Sequence, residues 1–140
     1  MENMKESELV RIQSLIYEIR GYKVMVDRDL AKLYGVETKV LNQAVKRNIK
    51  RFPEDFMFQL THEECLRSQF VTLNTKQGHH LKYLPYAFTE QGVAMLSSVL
   101  RSDAAIEVNI RIMRAFVSIR NQIYAVKHLN SELETIKAKL

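Results

Sequence analysis

The sequence predicts an α+β fold: a small antiparallel sheet, a helix-turn-helix core of winged-helix type, and a long C-terminal helix. Three observations predict it. A run of β-branched and aromatic residues, interrupted at Arg20–Gly21, reads as a hairpin just before Asp27. The stretch DRDLAKLYGVETKVLNQAVKRNIKRFP, Asp27 to Pro53, carries the apolar spacing of two short helices separated at Gly35. Beyond Gly92 there is neither glycine nor proline, so a helix can run on to the C-terminus.

In chain order, residues 1–9 are polar and are expected to fray. Strands are expected at Ile16–Ile19 and Tyr22–Val26. Asp27 is expected to cap the first helix, whose apolar face is Leu30, Ala31, Leu33 and Tyr34. Gly35 ends it, because glycine takes the left-handed conformation of a helix C-terminus. Thr38 is expected to cap a second helix running to about Lys50. Ala31 fits a close approach of the two helices, and Leu30, Tyr34, Val36, Leu41 and Ala44 take the supporting positions.

Past Pro53, Phe56–Leu60 alternates as a strand, and Thr61 can cap a short helix over His62–Ser68. Phe70–Leu73 and Leu81–Leu84 flank a basic segment centred on Gly78, the pattern of a wing. In that wing Lys76, His79, His80 and Lys82 could reach a phosphate backbone; a disordered surface loop has the same composition. From Pro85 the chain is expected to turn helical, with Thr89 capping TEQGVAMLSSVL and Gly92 allowing close packing. Ser102 or Asp103 caps the last helix, on which Ile106, Ile110, Met113, Phe116, Val117 and Ile119 form an apolar stripe expected to close the core. Farther on, Val126, Leu129, Leu133, Ile136 and Leu140 alternate steps of three and four, the seam of a coiled coil, which predicts a homodimer. The division expected is a domain over 1–120 and a helical extension over 121–140.

Composition narrows the chemistry. The 140 residues, 46% hydrophobic, suffice for one domain with a core. A formal net charge of +5 favours an anionic partner without identifying it. One cysteine, Cys65, precludes an intramolecular disulfide and suits a reducing cytoplasm. The charged start MENMKESELV lacks the apolar centre of a signal peptide, and no apolar run approaches membrane-spanning length, so a cytoplasmic protein without membrane partners is expected.

The second helix carries the functional signal. Its polar residues are Thr38, Lys39, Asn42, Gln43, Lys46, Arg47 and Lys50, followed by Arg51; between Thr38 and Pro53 there are five cations and no acid. Asparagine and glutamine can pair with adenine edges, arginine with guanine, and lysine with phosphate, so such a face suits the DNA major groove, with Asn42 and Gln43 reading bases. An ordinary solvated basic helix has the same spacing. A protein-interaction adaptor would present that face to an acidic partner. An RNA-binding module would be expected to add exposed aromatics for stacking, and the polar face of this helix has none.

Catalysis and metal binding find little support. His62, Cys65, His79 and His80 do not form the paired ligand spacing of a structural zinc site. The residues around Cys65 offer no oxyanion-forming context, and the four glycines make no phosphate-cradling loop. The expectation is a protein that is not an enzyme, with no cofactor and no small-molecule substrate.

Three segments carry a family likeness: IRGYKVMVDRDLAKLYGVETKVLNQAVKRNIKRFPEDFMFQLT, LRSQFVT, and LPYAFTEQGVAMLSSVLRSDAAIEVNIRIMRAF. From about Ile16 to Arg120 the chain resembles the KilA-N-related phage domain called the ORF-six N-terminal domain. The resemblance implies a sequence-specific or structure-reading DNA-binding domain, found in prophage and bacterial proteins and often fused to other phage regulatory domains. With the basic helix, it leads to the expectation of a nucleoid-associated protein in prophage or transcriptional control. It also implies that the two-helix segment, here Asp29–Arg51, is the DNA contact.

Overall fold

Four short strands make one antiparallel sheet in the order β1-β2-β4-β3: β1 (Tyr17–Ile19), β2 (Tyr22–Val26), β3 (Met57–Gln59) and β4 (Tyr86–Thr89). The computed structural model describes residues 2–68 and 83–139. The expected hairpin is present, and its turn has positive φ at both central residues, Arg20 (57°) and Gly21 (79°), which matches the twist of the two strands. Arginine is a poor residue for that conformation. Its side chain is correspondingly tied down: it donates to both Glu64 carboxylate oxygens (2.7 and 2.9 Å) and to Gln59 O (3.2 Å), and lies 4.3 Å over the Phe58 ring.

The strand β4 is a correction to the sequence reading, which had the chain turn helical at Pro85. It pairs with β2 on one side and β3 on the other. A strand covered on both faces lacks polar–apolar alternation, and here Ala87, Phe88 and Thr89 are all buried. Its register builds two layers. Val26, Ala87 and Phe58 lie side by side on one face and pack with Ile19, Val24, Leu60 and Cys65. Met25, Phe88 and Met57 share the other face, against Leu30, Leu41, Val93, Leu96 and Ile112. The expected strand Phe56–Leu60 is shortened to Met57–Gln59. Thr61 caps α4 (His62–Arg67) in a reciprocal capping box with Glu64. Phe70–Leu73 and most of the expected wing lie outside the described residues.

The N-terminus is not frayed as its polarity suggested: Glu2–Gln13 forms α1. Ile12 is buried, Leu9 packs beside it, and Glu8 pairs with Arg111 of the last helix at 3.2 Å. Thr89 caps α5 (Glu90–Leu96), accepting from Gly92 N at 3.3 Å. This helix stops four residues before Leu100, where the hydroxyls of Ser97 and Ser98 donate back to the carbonyls of Ala94 and Met95. At Gly92 the expected close packing is severe: a Cβ there would sit 2.0 Å from Phe56 O.

The last helix, α6 (Asp103–Lys139), is 37 residues long and begins with Ser102 Oγ accepting from Ala105 N. Its buried face is Ala105, Asn109, Ile112, Ala115 and Phe116. The stripe expected to close the core is therefore rotated: Phe116 is buried, but Ile106, Ile110 and Val117 are exposed and with Met113 line a trough of about 940 Å³. Two alanines on the buried face let the helix approach closely, and small residues give weak periodicity in the sequence. The helix passes residue 120 unbroken, and from there to Lys139 every residue is exposed.

Two expected outcomes follow from this packing. Gly92→Ala should lower stability in urea unfolding by about 1–3 kcal/mol or more, since the clashing atom is backbone and yields poorly. The Arg20 guanidinium, helped by the Thr61 N–H, holds the Glu64 carboxyl at about 2 against an ordinary 4.5. That depression makes the pair stabilising above pH 4.5, with the stability lost as pH falls towards 2. Glu64→Gln, which can retain the capping box, should cost about 1–2 kcal/mol at neutral pH, discounted because Arg20 is partly exposed. It should also flatten the acid limb of stability against pH. An unchanged acid limb would refute the assignment.

Candidate nucleic-acid interface

Helices α2 (Asp27–Tyr34) and α3 (Thr38–Arg47) form the expected helix-turn-helix. The turn is set by Gly35, at φ 71°. Gly35 N donates to Lys32 O (3.2 Å) and Val36 N to Ala31 O (3.0 Å), which together close the end of α2. Leu30, Ala31, Tyr34, Leu41 and Val45 face inward. Tyr34 Oη also donates to Asn109 Oδ1 on α6, and burial pushes the phenol far above its ordinary value.

Both expected capping residues are corrected. Val26 precedes α2 and Glu37 precedes α3, and neither side chain caps; Asp27 and Thr38 are the first helical residues. Asp27 does something else. It is fully buried, and three donors converge on its carboxylate: Arg28 N on Oδ1 (2.8 Å), and Asn42 Nδ2 (3.0 Å) and Tyr86 N (3.3 Å) on Oδ2. Burial pushes this carboxyl above its ordinary value, opposed by the hydrogen bonds from Asn42, Tyr86 and Arg28. One side chain thus links the start of α2, the middle of α3 and the start of β4.

The second helix is shorter than expected: α3 ends at Arg47, and Ile49–Arg51 is a single 3-10 turn. The structure brings Thr38, Lys39, Asn42, Gln43 and Lys46 together along one wall of a recess of about 650 Å³. Arg28 of α2, Gln59 of β3, and Tyr83 and Tyr86 at the entry to β4 complete it. Lys39, Gln43 and Lys46 are exposed, while Asn42 is partly buried and donates to Tyr83 Oη at 2.7 Å as well as to Asp27. The polar face of α3 itself carries no aromatic, as expected; the two tyrosines beside it come from a segment about forty residues away in sequence, where helical spacing gives no sign of them.

Arg47 and Lys50 are exposed but do not line the recess. Arg51 turns towards α5 and donates to Ser98 Oγ at 3.2 Å. Lys76, His79, His80 and Lys82 lie outside the described residues. Cys65 is fully buried in the layer under the sheet, and burial pushes its thiol up, away from the reactive thiolate. Among the described residues no three of His, Cys, Asp and Glu gather as they would around a metal ion, and no helix is long and apolar enough to cross a membrane.

No curated protein and no solved structure matches the chain significantly. Residues 14–99 match the ORF6N domain, a span that holds the sheet, the helix-turn-helix, the whole recess and α5, and stops before α6. Covering more than half of the sequence, that match shows that the chain belongs to the ORF6N domain family.

Proposed function

We propose that the protein binds double-stranded DNA through α3 and acts in prophage or bacterial transcriptional control, at the nucleoid. The observation that carries this reading is the presentation of exposed Lys39, Gln43, Lys46 and Arg47 on one helix, with exposed Lys50 just beyond it and no acid between Thr38 and Pro53. Cations held in register along a helix neutralise phosphates, and an exposed amide among them can reach base edges. The implied relation to KilA-N domains supports the same reading. Tyr83 and Tyr86 in the recess favour a second one, binding of single-stranded RNA, in which bases stack on aromatic rings.

Titration with duplex DNA and with single-stranded RNA across a range of salt separates the two readings. Lys46→Glu with Arg47→Glu should weaken binding to every duplex and reduce the slope of log affinity against log salt by roughly 1 for each phosphate no longer neutralised. Full duplex affinity in a folded double variant would place the interface elsewhere.

The same proposal includes a homodimer through α6. Val126, Leu129, Leu133 and Ile136 are each more than half exposed. Burying one such side chain contributes roughly 1.5–3 kcal/mol, so a seam of them on two chains supports association against its entropic cost. Sedimentation equilibrium at tens of micromolar should show a dimer for the intact chain and a monomer for a truncation ending at Asn121. A dimeric truncation would move the contact into the globular part, and a monomeric intact chain would remove it.

A further inference from the structure

Asn42 has no spare hydrogen for a base. Reading adenine takes both ends of the amide at once, the oxygen accepting from N6 and the nitrogen donating to N7. Here Nδ2 donates to Asp27 Oδ2 at 3.0 Å and to Tyr83 Oη at 2.7 Å, which uses both hydrogens inside the protein. The amide cannot turn over, because an ionised carboxylate only accepts, and Asp27 already accepts from Tyr86 N and Arg28 N.

Tyr83 is left with the complementary property. Its Oη accepts Asn42's hydrogen, so its own O–H is directed elsewhere. Tyr83 is 44% exposed and lines the same recess as Lys39 and Lys46. Among the described residues no carboxylate lines that recess; the acid beneath it, Asp27, is fully buried and occupied. A hydroxyl with a hydrogen left to donate, in a recess also lined by two lysines, fits a phosphodiester oxygen better than a base edge.

We propose that Tyr83 is a phosphate-contacting residue of the interface, that Asn42 is its positioning residue through the Asp27–Asn42–Tyr83 relay, and that Gln43 is the amide of α3 that reads bases. This rests on the DNA-binding reading above and adds to it a contact from outside the helix-turn-helix.

The test uses the full chain, with one duplex selected by the protein from a random pool and one mixed-sequence duplex. Tyr83→Phe and Asn42→Ala should each weaken binding to both duplexes by the same factor, about 3–10-fold, the scale of one hydrogen bond. Combined, they should weaken it no more than either alone, because they break one relay. Tyr83→Phe should leave the salt slope unchanged, since a neutral hydroxyl releases no counterion. Gln43→Ala should weaken the selected duplex by about 10–100-fold and the mixed one little. If Asn42→Ala unfolds the chain, Tyr83→Phe, which keeps the ring, still decides the contact. Binding by Tyr83→Phe equal to the unaltered protein, or a loss in Asn42→Ala confined to the selected duplex, overturns the proposal while leaving DNA binding intact. Failure of the unaltered protein to bind either duplex overturns the parent reading and this one together.

Discussion

The buried carboxylate of Asp27 is the constraint on which the rest of this structure depends. Withdrawing a carboxylate from water costs several kcal/mol even after relaxation. Hydrogen bonds to a charged group return roughly 1.5–3 kcal/mol each, and Asp27 accepts three. The two sides nearly cancel, so Asp27 does little for net stability, and the upward push on its carboxyl agrees with a charge held at some cost. What it fixes is geometry. Its three donors come from α2, α3 and β4, elements up to 59 residues apart. Apolar packing alone would tolerate small slides among them; a carboxylate with three aimed donors does not.

The sheet is what brings those donors together. β4 sits between β2 and β3, and its buried neighbours on both faces fix its register. One residue of slip would turn Phe88 towards the layer beneath the sheet and carry Tyr86 N away from Asp27. Two local devices hold the sheet's edges. Arg20, in a backbone conformation that suits glycine, is anchored by Glu64 and so joins the hairpin turn to α4. Gly92 lets the start of α5 lie directly on Phe56, whose carbonyl accepts from Thr89 N where β4 gives way to the helix. The recess beside α3 is thus walled by a helix and by the entry to a central strand: the strand cannot shift without unpairing backbone, and the helix cannot without breaking the Asn42–Asp27 bond.

Much of this was legible in the sequence because it rests on local signals. Gly35 ending α2, the Arg20–Gly21 turn, Thr61 and Thr89 as caps and Gly92 as a close contact each follow from what a few neighbouring residues can do. The misses share a different cause. β4 has no alternation because both its faces are covered, and Pro85 with the helix-like residues after Thr89 concealed it. The buried face of α6 was misplaced because it uses Ala105 and Ala115, which carry little hydrophobic signal, while the larger Ile106 and Ile110 stay outside. Asp27 read as a helix cap because a short polar residue before an apolar run usually is one; its role depends on Tyr86, which only the folded sheet brings near. The aromatic side of the recess was hidden for the same reason.

Asn109 shows how the two ends of the molecule are coupled. It is buried on α6, accepts from Tyr34 of α2, and its own Nδ2 has no partner among the described residues. An unsatisfied buried donor costs roughly 1–3 kcal/mol, and an apolar residue there would avoid that cost. A single polar pair within an apolar contact has one effect that hydrophobic packing lacks: it distinguishes registers. Sliding α6 by one turn would move it about 5.4 Å along its axis and strand both Tyr34 and Asn109. On the dimeric reading proposed above, α6 also carries the contact between copies, so its register against α2 sets where each α3 stands relative to the two-fold axis. Half-sites on DNA recur at about 34–36 Å, one turn of the duplex, and an error of a helical turn in each copy would be a large part of the tolerance. The Tyr34–Asn109 pair stands where that error would enter, between the helix that would join two chains and the helix that would meet DNA.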